Sequence, residues 1–300
     1  PSREQAQEGY ARENEAGIAP AAPERTYKDD WHKPEILIAL EEVHTLSGFR
    51  DPRRTASLFA GLGVAGELAS VIGPLTERKG PAALAEVFLA VLSLHGERAQ
   101  LSELVCAAAM AHKDDEGELG EFARTVLELD EVFPTDPGIL AALLMNRVTL
   151  QPGEALFVPA GHMHAHLRGT GIEVMANSDN VVRGGLTTKH VDVTELVKVV
   201  EFSPSDPVVT RPEPVAPGVD RYPAPCPEFD VWRIAPGTAT VTVPGVGSAR
   251  ILLVVSGTAE LAGRDGTLPL GRGGSCFLAA DEQATLSGDA VAFLAASGVR

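Results

Sequence analysis

Residues 147–182 are cut by turn signals so often that only short strands fit between them. Val148-Thr149-Leu150 stops at Gln151-Pro152-Gly153, and Ala155 to Val158 stops at Pro159-Ala160-Gly161. His164 to Leu167 stops at Gly169-Thr170-Gly171, and Ile172 to Met175 ends at Asn177. Short, evenly spaced strands of this kind predict a small antiparallel barrel or sandwich. A second set follows at Phe229–Ile234, Thr238–Val243, Ile251–Val255 and Thr258–Leu261, punctuated by Gly257, Gly263, Gly266 and Gly271. It predicts a second unit of the same kind.

The intervening sequence has a different period. Leu58-Phe59, Leu62, Leu68, Val71-Ile72 and Leu75 recur at helical spacing, and Pro81 sits where a first helical turn starts. Such stripes pack against a core, and they carry no ligand-like spacing. Asp192 and Glu195 have the spacing of a capping box for a helix running to about Val200. Eight of the 22 prolines fall between Pro204 and Pro227, which excludes a central strand or helix there. The expected fold is therefore mainly β with an α-helical insert: two jelly-roll-like β-barrels plus a helical domain. Residues 1–43 and 143–200 form the first barrel, 44–142 the insert, 201–228 a proline-rich connection, and 229–300 the second barrel.

Lys and Arg number 25 against 41 Asp and Glu, a net charge of −16. That charge repels nucleic acid and anionic lipid, so neither is an expected partner. An anionic ligand would need a locally basic pocket. No apolar run is long enough to span a membrane. Cys106, Cys226 and Cys276 show no framework spacing, which points to a reducing, cytoplasmic setting. A monomer is expected. The chain opens at Pro1 with no initiator Met, so an upstream segment is expected as well.

Three segments hold residues suited to chemistry. In Gly153-x5-Pro159-x-Gly161-x2-His164, glycine and proline set the turns and a histidine projects from the strand that follows. Neutral imidazole is a common metal ligand on such a scaffold. His162, His164 and His166 alternate, so an extended chain places all three on one face. In Asp29-Asp30-Trp31-His32-Lys33-Pro34-Glu35, proline presents Glu35 rigidly beside a lysine. In the segment from Ser178 to His190, Arg183 and Lys189 flank Gly184-Gly185. Arginine suits a developing oxyanion, and lysine suits a phosphate.

The spacing ending at His164 resembles the second conserved motif of cupins. Together with His32-Lys33-Pro34-Glu35 and the run Ile172-Glu173-Val174-Met175-Ala176-Asn177-Ser178-Asp179-Asn180-Val181-Val182-Arg183-Gly184-Gly185-Leu186-Thr187, it resembles the type I mannose-6-phosphate isomerase family. The resemblance implies two cupin-type barrels and a zinc-dependent isomerase that interconverts mannose 6-phosphate and fructose 6-phosphate through an enediol. It implies one Zn2+ per chain, with Glu35 and His164 as metal ligands and two further ligands, a Gln-x-His pair, upstream of Pro1. It implies Arg183 as the catalytic residue and Lys33, Glu173 and Lys189 as substrate-binding residues. The partner it implies is a small-molecule sugar phosphate. The sequence departs from the family pattern at Trp31, His166 and Thr188, where Asn, Tyr and Pro are usual. The general base stays open among Glu173, His162, His166 and Lys33. No histidine follows His190, so the second barrel is expected to hold no metal. The alternatives are a non-catalytic sugar-binding cupin and, more remotely, a metal-dependent oxygenase.

Overall fold

The structure is a computed structural model and describes residues 1–94, 100–187 and 191–298. Its first β unit draws on separated parts of the chain. Strands β1 (Glu35–Ala39) and β2 (Val43–Phe49) precede the helices. Strands β3 (Met145–Leu150), β4 (Ala155–Val158), β5 (His164–Arg168), β6 (Gly171–Met175) and β7 (Val209–Thr210) follow them. They form two sheets, ordered β6-β1-β4-β7 and β3-β2-β5, with antiparallel pairing throughout.

β1 is buried along its whole length. Leu37 and Ala39 pack inside the sandwich with Val43, Leu150, Leu156 and Val158. Ile36 and Ile38 pack the other way, against Tyr222, Phe229, Val231 and Phe293 of the second unit. Two buried faces explain why Ile36-Leu37-Ile38-Ala39 lacks polar alternation. Glu35 shares the inward face of Leu37, at the strand's start.

The helices between β2 and β3 are α2 (Pro52–Gly61), α3 (Ala69–Ile72), α4 (Pro74–Glu77), α5 (Pro81–Leu92), α6 (Gln100–His112), α7 (Gly117–Val132) and α8 (Gly138–Ala142), following an N-terminal α1 (Arg3–Glu15). Asp51 caps α2, accepting from the Arg54 N–H. Their apolar faces build one core that reaches Leu46 and Phe49 of β2. Phe49 stacks on Phe202 at 5.3 Å and meets Phe88 edge-on at 5.8 Å. The helices begin at Pro52 rather than at residue 44, because residues 43–49 are β2. A bulge at Gly48 (φ +60°) and near-continuous burial hide the alternation that would mark that strand.

The second unit starts inside the proline-rich stretch, which is not a plain connection. It contains β7, β8 (Glu213–Ala216) and β9 (Val219–Tyr222). β8 lies at the edge of its sheet, where Pro214 costs no ladder hydrogen bond to a further strand. The remaining strands are β10 (Phe229–Ile234), β11 (Thr240–Thr242), β12 (Arg250–Ser256), β13 (Thr258–Gly263), β14 (Gly266–Gly271), β15 (Ser275–Leu278), β16 (Thr285–Gly288) and β17 (Val291–Ser297). They form sheets ordered β15-β12-β17-β10-β9-β8 and β11-β16-β13-β14. Trp232, Ile234, Leu252, Leu286 and Leu294 fill the space between them. The observed fold is mainly β with a helical insert, as expected. No helix among the described residues is long and apolar enough to cross a membrane.

Helix α9 (Val193–Val199) begins at Asp192, which accepts from the Glu195 N–H at 2.9 Å. The reciprocal half of the expected capping box is absent. The Glu195 carboxylate instead accepts from Tyr27 Oη at 2.7 Å, Arg12 at 2.8 Å and Lys198 at 2.9 Å. Burial opposes its ionisation, but these donors together outweigh burial and hold its pKa below the ordinary value. A depressed folded-state pKa adds stability that is full above the unfolded carboxylate pKa and is lost as pH falls through the folded one. Tyr27→Phe is therefore expected to cost about 1.5–3 kcal/mol at neutral pH, the range for a hydrogen bond to a charged group. Denaturant titrations at neutral and acid pH check this: the gap between variant and parent should narrow as the carboxylate protonates.

Candidate active site

A cavity of about 480 Å3 opens where the first β unit meets the helices. β1, β5 and β6 deliver Glu35, His164, His166 and Glu173, and Phe88, Ala141 and Met145 bring apolar surface. The β1–β6 register sets Leu37 opposite Glu173 and Glu35 opposite Met175. Glu35 and Glu173 thus project from the same sheet face as diagonal neighbours. On β5, His164 and His166 share the other alternate face, with ring centroids 5.5 Å apart. Ala165 and Leu167, which alternate with them along the strand, pack against the helical core.

The side chains meet in pairs. His164 Nε2 lies 3.2 Å from Glu35 Oε2, and His166 Nε2 lies 2.9 Å from Glu173 Oε1. Lys33 Nζ lies 3.6 Å from Glu35 Oε1. One ligand atom from each of His164, His166 and Glu173 falls within 4.8 Å of the others. Burial pulls the His164 pKa down, but the Glu35 carboxylate outweighs it and the net direction is up. Glu173 is held below the ordinary carboxylate value, first by His166, with Glu35 and His164 adding. Imidazole nitrogens and carboxylates at this spacing are donors zinc accepts, so the residues fit that metal.

Arg183 lines the same cavity, in the loop after β6. Among the described residues no carboxylate forms an ion pair with it. Gly184 beside it packs closely: a Cβ there would lie 2.5 Å from Met163 Cε, the end of a flexible side chain, and 3.2 Å from Phe88 Cζ. Leu186 has φ +50°, a left-handed backbone that a branched side chain adopts only under constraint. Lys189 lies outside the described residues. His162 sits in the turn before β5 rather than on the strand face, and it lines the cavity. Its buried Nδ1 has no hydrogen-bond partner.

Sequence reasoning missed the groups that aim the Lys33-Pro34-Glu35 segment. Asn180 accepts from the Lys28 and Asp29 N–H groups at 2.8 and 3.2 Å. Its amide donates to the carbonyls of Asp29 and Trp31 at 2.9 and 2.8 Å. Ser178 Oγ donates to Asp29 Oδ1 at 2.8 Å. The signal was the Ser-x-Asn spacing just after β6, which reads equally as a turn. Asn180→Ala is expected to destabilise the fold by about 2–4 kcal/mol, since it strands several part-buried backbone groups. Thermal unfolding of the variant measures this, and a shift no larger than that of a surface substitution would contradict the clamp.

No protein-family model matches the chain. Curated relatives do. Mannose-6-phosphate isomerase of Salmonella typhimurium is 37% identical over 283 residues, covering 94% of this chain and 70% of the relative. The Rattus norvegicus mannose-6-phosphate isomerase is 34% identical over 286 residues, covering 88% and 67%. Among solved structures, an alanine variant of phosphomannose isomerase from Salmonella typhimurium aligns with a TM-score of 0.87 at 34% identity, over 99% of this chain and 74% of that one. The Salmonella mannose 6-phosphate isomerase bound to substrate (f6p) and zinc aligns with a TM-score of 0.86 at 33% identity, over 99% and 74%. Sequence, fold and the cluster of imidazoles and carboxylates lead to one family, and the chain is a member of the mannose-6-phosphate isomerases.

Proposed function

We propose that the chain is a zinc-dependent aldose–ketose isomerase that interconverts mannose 6-phosphate and fructose 6-phosphate through an enediol. The observation that carries this reading is the 3.2 Å approach of His164 Nε2 to Glu35 Oε2 inside a cavity that also contains Arg183. The relatives are isomerases of this specificity, and one is bound to f6p and zinc. Nothing favours a sugar-binding protein without catalysis. Bound zinc supplies Lewis acidity toward the sugar oxygens, typically worth several kcal/mol.

The chain's own residues do the rest. Glu35 and His164 hold the metal, and Lys33 neutralises and orients the Glu35 carboxylate at 3.6 Å. Arg183, permanently charged and free of a carboxylate partner among the described residues, stabilises the oxyanion that grows as the carbon proton leaves. Glu173 binds sugar hydroxyls from the strand beside Glu35. Lys189 serves the phosphate, which resolves the conflict between an anionic substrate and a chain of net charge −16. A cytoplasmic setting suits the three free cysteines. We propose a monomer, for which light scattering should return 31.5 kDa.

The test is conversion of mannose 6-phosphate to fructose 6-phosphate by chelator-stripped protein with and without added zinc. Turnover should vanish on stripping and return with one zinc per chain. Absence of turnover with stoichiometric zinc bound would overturn the reading.

A further inference from the structure

The loop that carries Arg183 is held at both ends by distant parts of the chain. At its start, Asn180 is bonded to the segment leading into β1. At its end, the loop lies on the helical insert, backbone against backbone. Gly138, the first residue of α8, faces Leu186: a Cβ there would lie 2.8 Å from the Leu186 backbone nitrogen and 3.2 Å from Leu186 Cγ. The contact is reciprocal, since a Cβ at Gly185 would lie 3.1 Å from Gly138 Cα and 3.6 Å from Leu92 Cδ2 of α5. Leu186 meets α8 in its left-handed backbone, a conformation that persists only where the surroundings fix it. α8 has nowhere to retreat. All five of its residues are buried, Ile139 to Ala142 belong to the helical core, and Asp136 Oδ1 accepts from the Gly138 N–H at 2.7 Å.

We infer that Gly138 is a positioning residue for the isomerisation: by letting the loop backbone rest directly on α8, it sets where the Arg183 guanidinium stands in the cavity. The helical insert thus takes part in the reaction through a backbone contact, although its apolar stripes carry no ligand-like spacing. A methyl group at Gly138 needs about 0.7 Å more room to reach ordinary contact with the Leu186 nitrogen. The Gly138 backbone is right-handed helical, so alanine suits it and only the loop contact opposes the change. Of the two partners the loop must yield, because it is half-buried while α8 is enclosed in a packed core. Gly184 against Phe88 and Gly185 against Leu92 leave little room to absorb the shift, so it passes to Arg183. A displacement approaching 1 Å in a group aimed at the reacting atoms costs up to about 10²-fold in rate. The inference rests on the catalytic reading of Arg183 and extends it to the insert.

The test uses the zinc-loaded 300-residue chain. Gly138→Ala should lower kcat and kcat/KM together by about 10–10²-fold, with KM and zinc content held, because Arg183 acts on charge that exists only in the transition state. In the Arg183→Ala background the same substitution should cost less than about 3-fold, since its route to the chemistry is gone. A merely structural glycine would cost as much in both backgrounds, and that result overturns the inference. So does parent-like turnover of Gly138→Ala beside a slow Arg183→Ala, which leaves the catalytic reading of Arg183 standing. If Arg183→Ala itself turned over normally, that reading would fall and the inference with it. The crystal structure of Gly138→Ala reads the placement independently of turnover. Arg183 Cα should shift by about 0.5 Å or more while β1, β5 and β6 superimpose on the parent, and an unmoved loop overturns the inference. Should Gly138→Ala not fold, Leu186→Gly takes its place. It releases the left-handed constraint and removes the side chain that seats the loop on the helical core, so kcat should fall by about 10-fold at the parent's zinc content. Unchanged kcat in that variant overturns the inference equally.

Discussion

Glu35→Gln should lower kcat/KM by about 10³-fold or more, because several kcal/mol of Lewis-acid stabilisation depend on the metal this carboxylate holds. The substitution keeps volume and shape on a strand buried along its length, so the barrel itself should survive. It removes the charge that faces His164 and Lys33, leaving the largely buried Lys33 ammonium without its carboxylate. Part of any lost stability therefore belongs to the lysine. The double variant Glu35→Gln with Lys33→Met separates the two effects: stability should recover while metal content and turnover stay low. Metal analysis beside steady-state kinetics reads both. Near-normal turnover at the parent's zinc content would remove Glu35 from the centre.

Arg183→Ala should lower kcat by about 10²–10³-fold while zinc content holds, the size seen when a preorganised oxyanion donor is removed. The loop around it is built tightly: Gly184 packs on Met163 and Phe88, and Leu186 takes a left-handed backbone. Such constraint on a surface-derived loop fits a guanidinium that must be in place before charge develops. Arg183→Lys should recover little, since an ammonium on a flexible stem does not reproduce a planar fork. A variant that lost zinc along with activity would instead show that Arg183 supports the metal.

Much of this site was legible in the residues. The proline and glycine punctuation around β4, β5 and β6 located the strands, and alternation put His164 and His166 on one face. That Glu35 and His164 meet across the helical insert required the β1–β6 and β2–β5 pairings, which local sequence cannot specify. β2 was hidden because burial on nearly every position and a bulge at Gly48 erase its period. Strands in the proline-rich stretch were hidden because edge position, not sequence, is what tolerates Pro214. His166 was a candidate from its alternation alone, but Thr45, 3.0 Å from its Nδ1, comes from a neighbouring strand that local sequence does not pair with β5. The Asn180 clamp was invisible for the same reason: its partners lie far away in the chain, on the segment that leads into β1.

Anomalous scattering at the zinc edge, from crystals of zinc-loaded protein soaked with fructose 6-phosphate, tests the central claim most directly. The account predicts one peak within about 2.2 Å of both a Glu35 carboxylate oxygen and His164 Nε2, with the sugar in the same cavity beside Arg183. A peak held by other residues, or sugar bound away from that cavity, would contradict it.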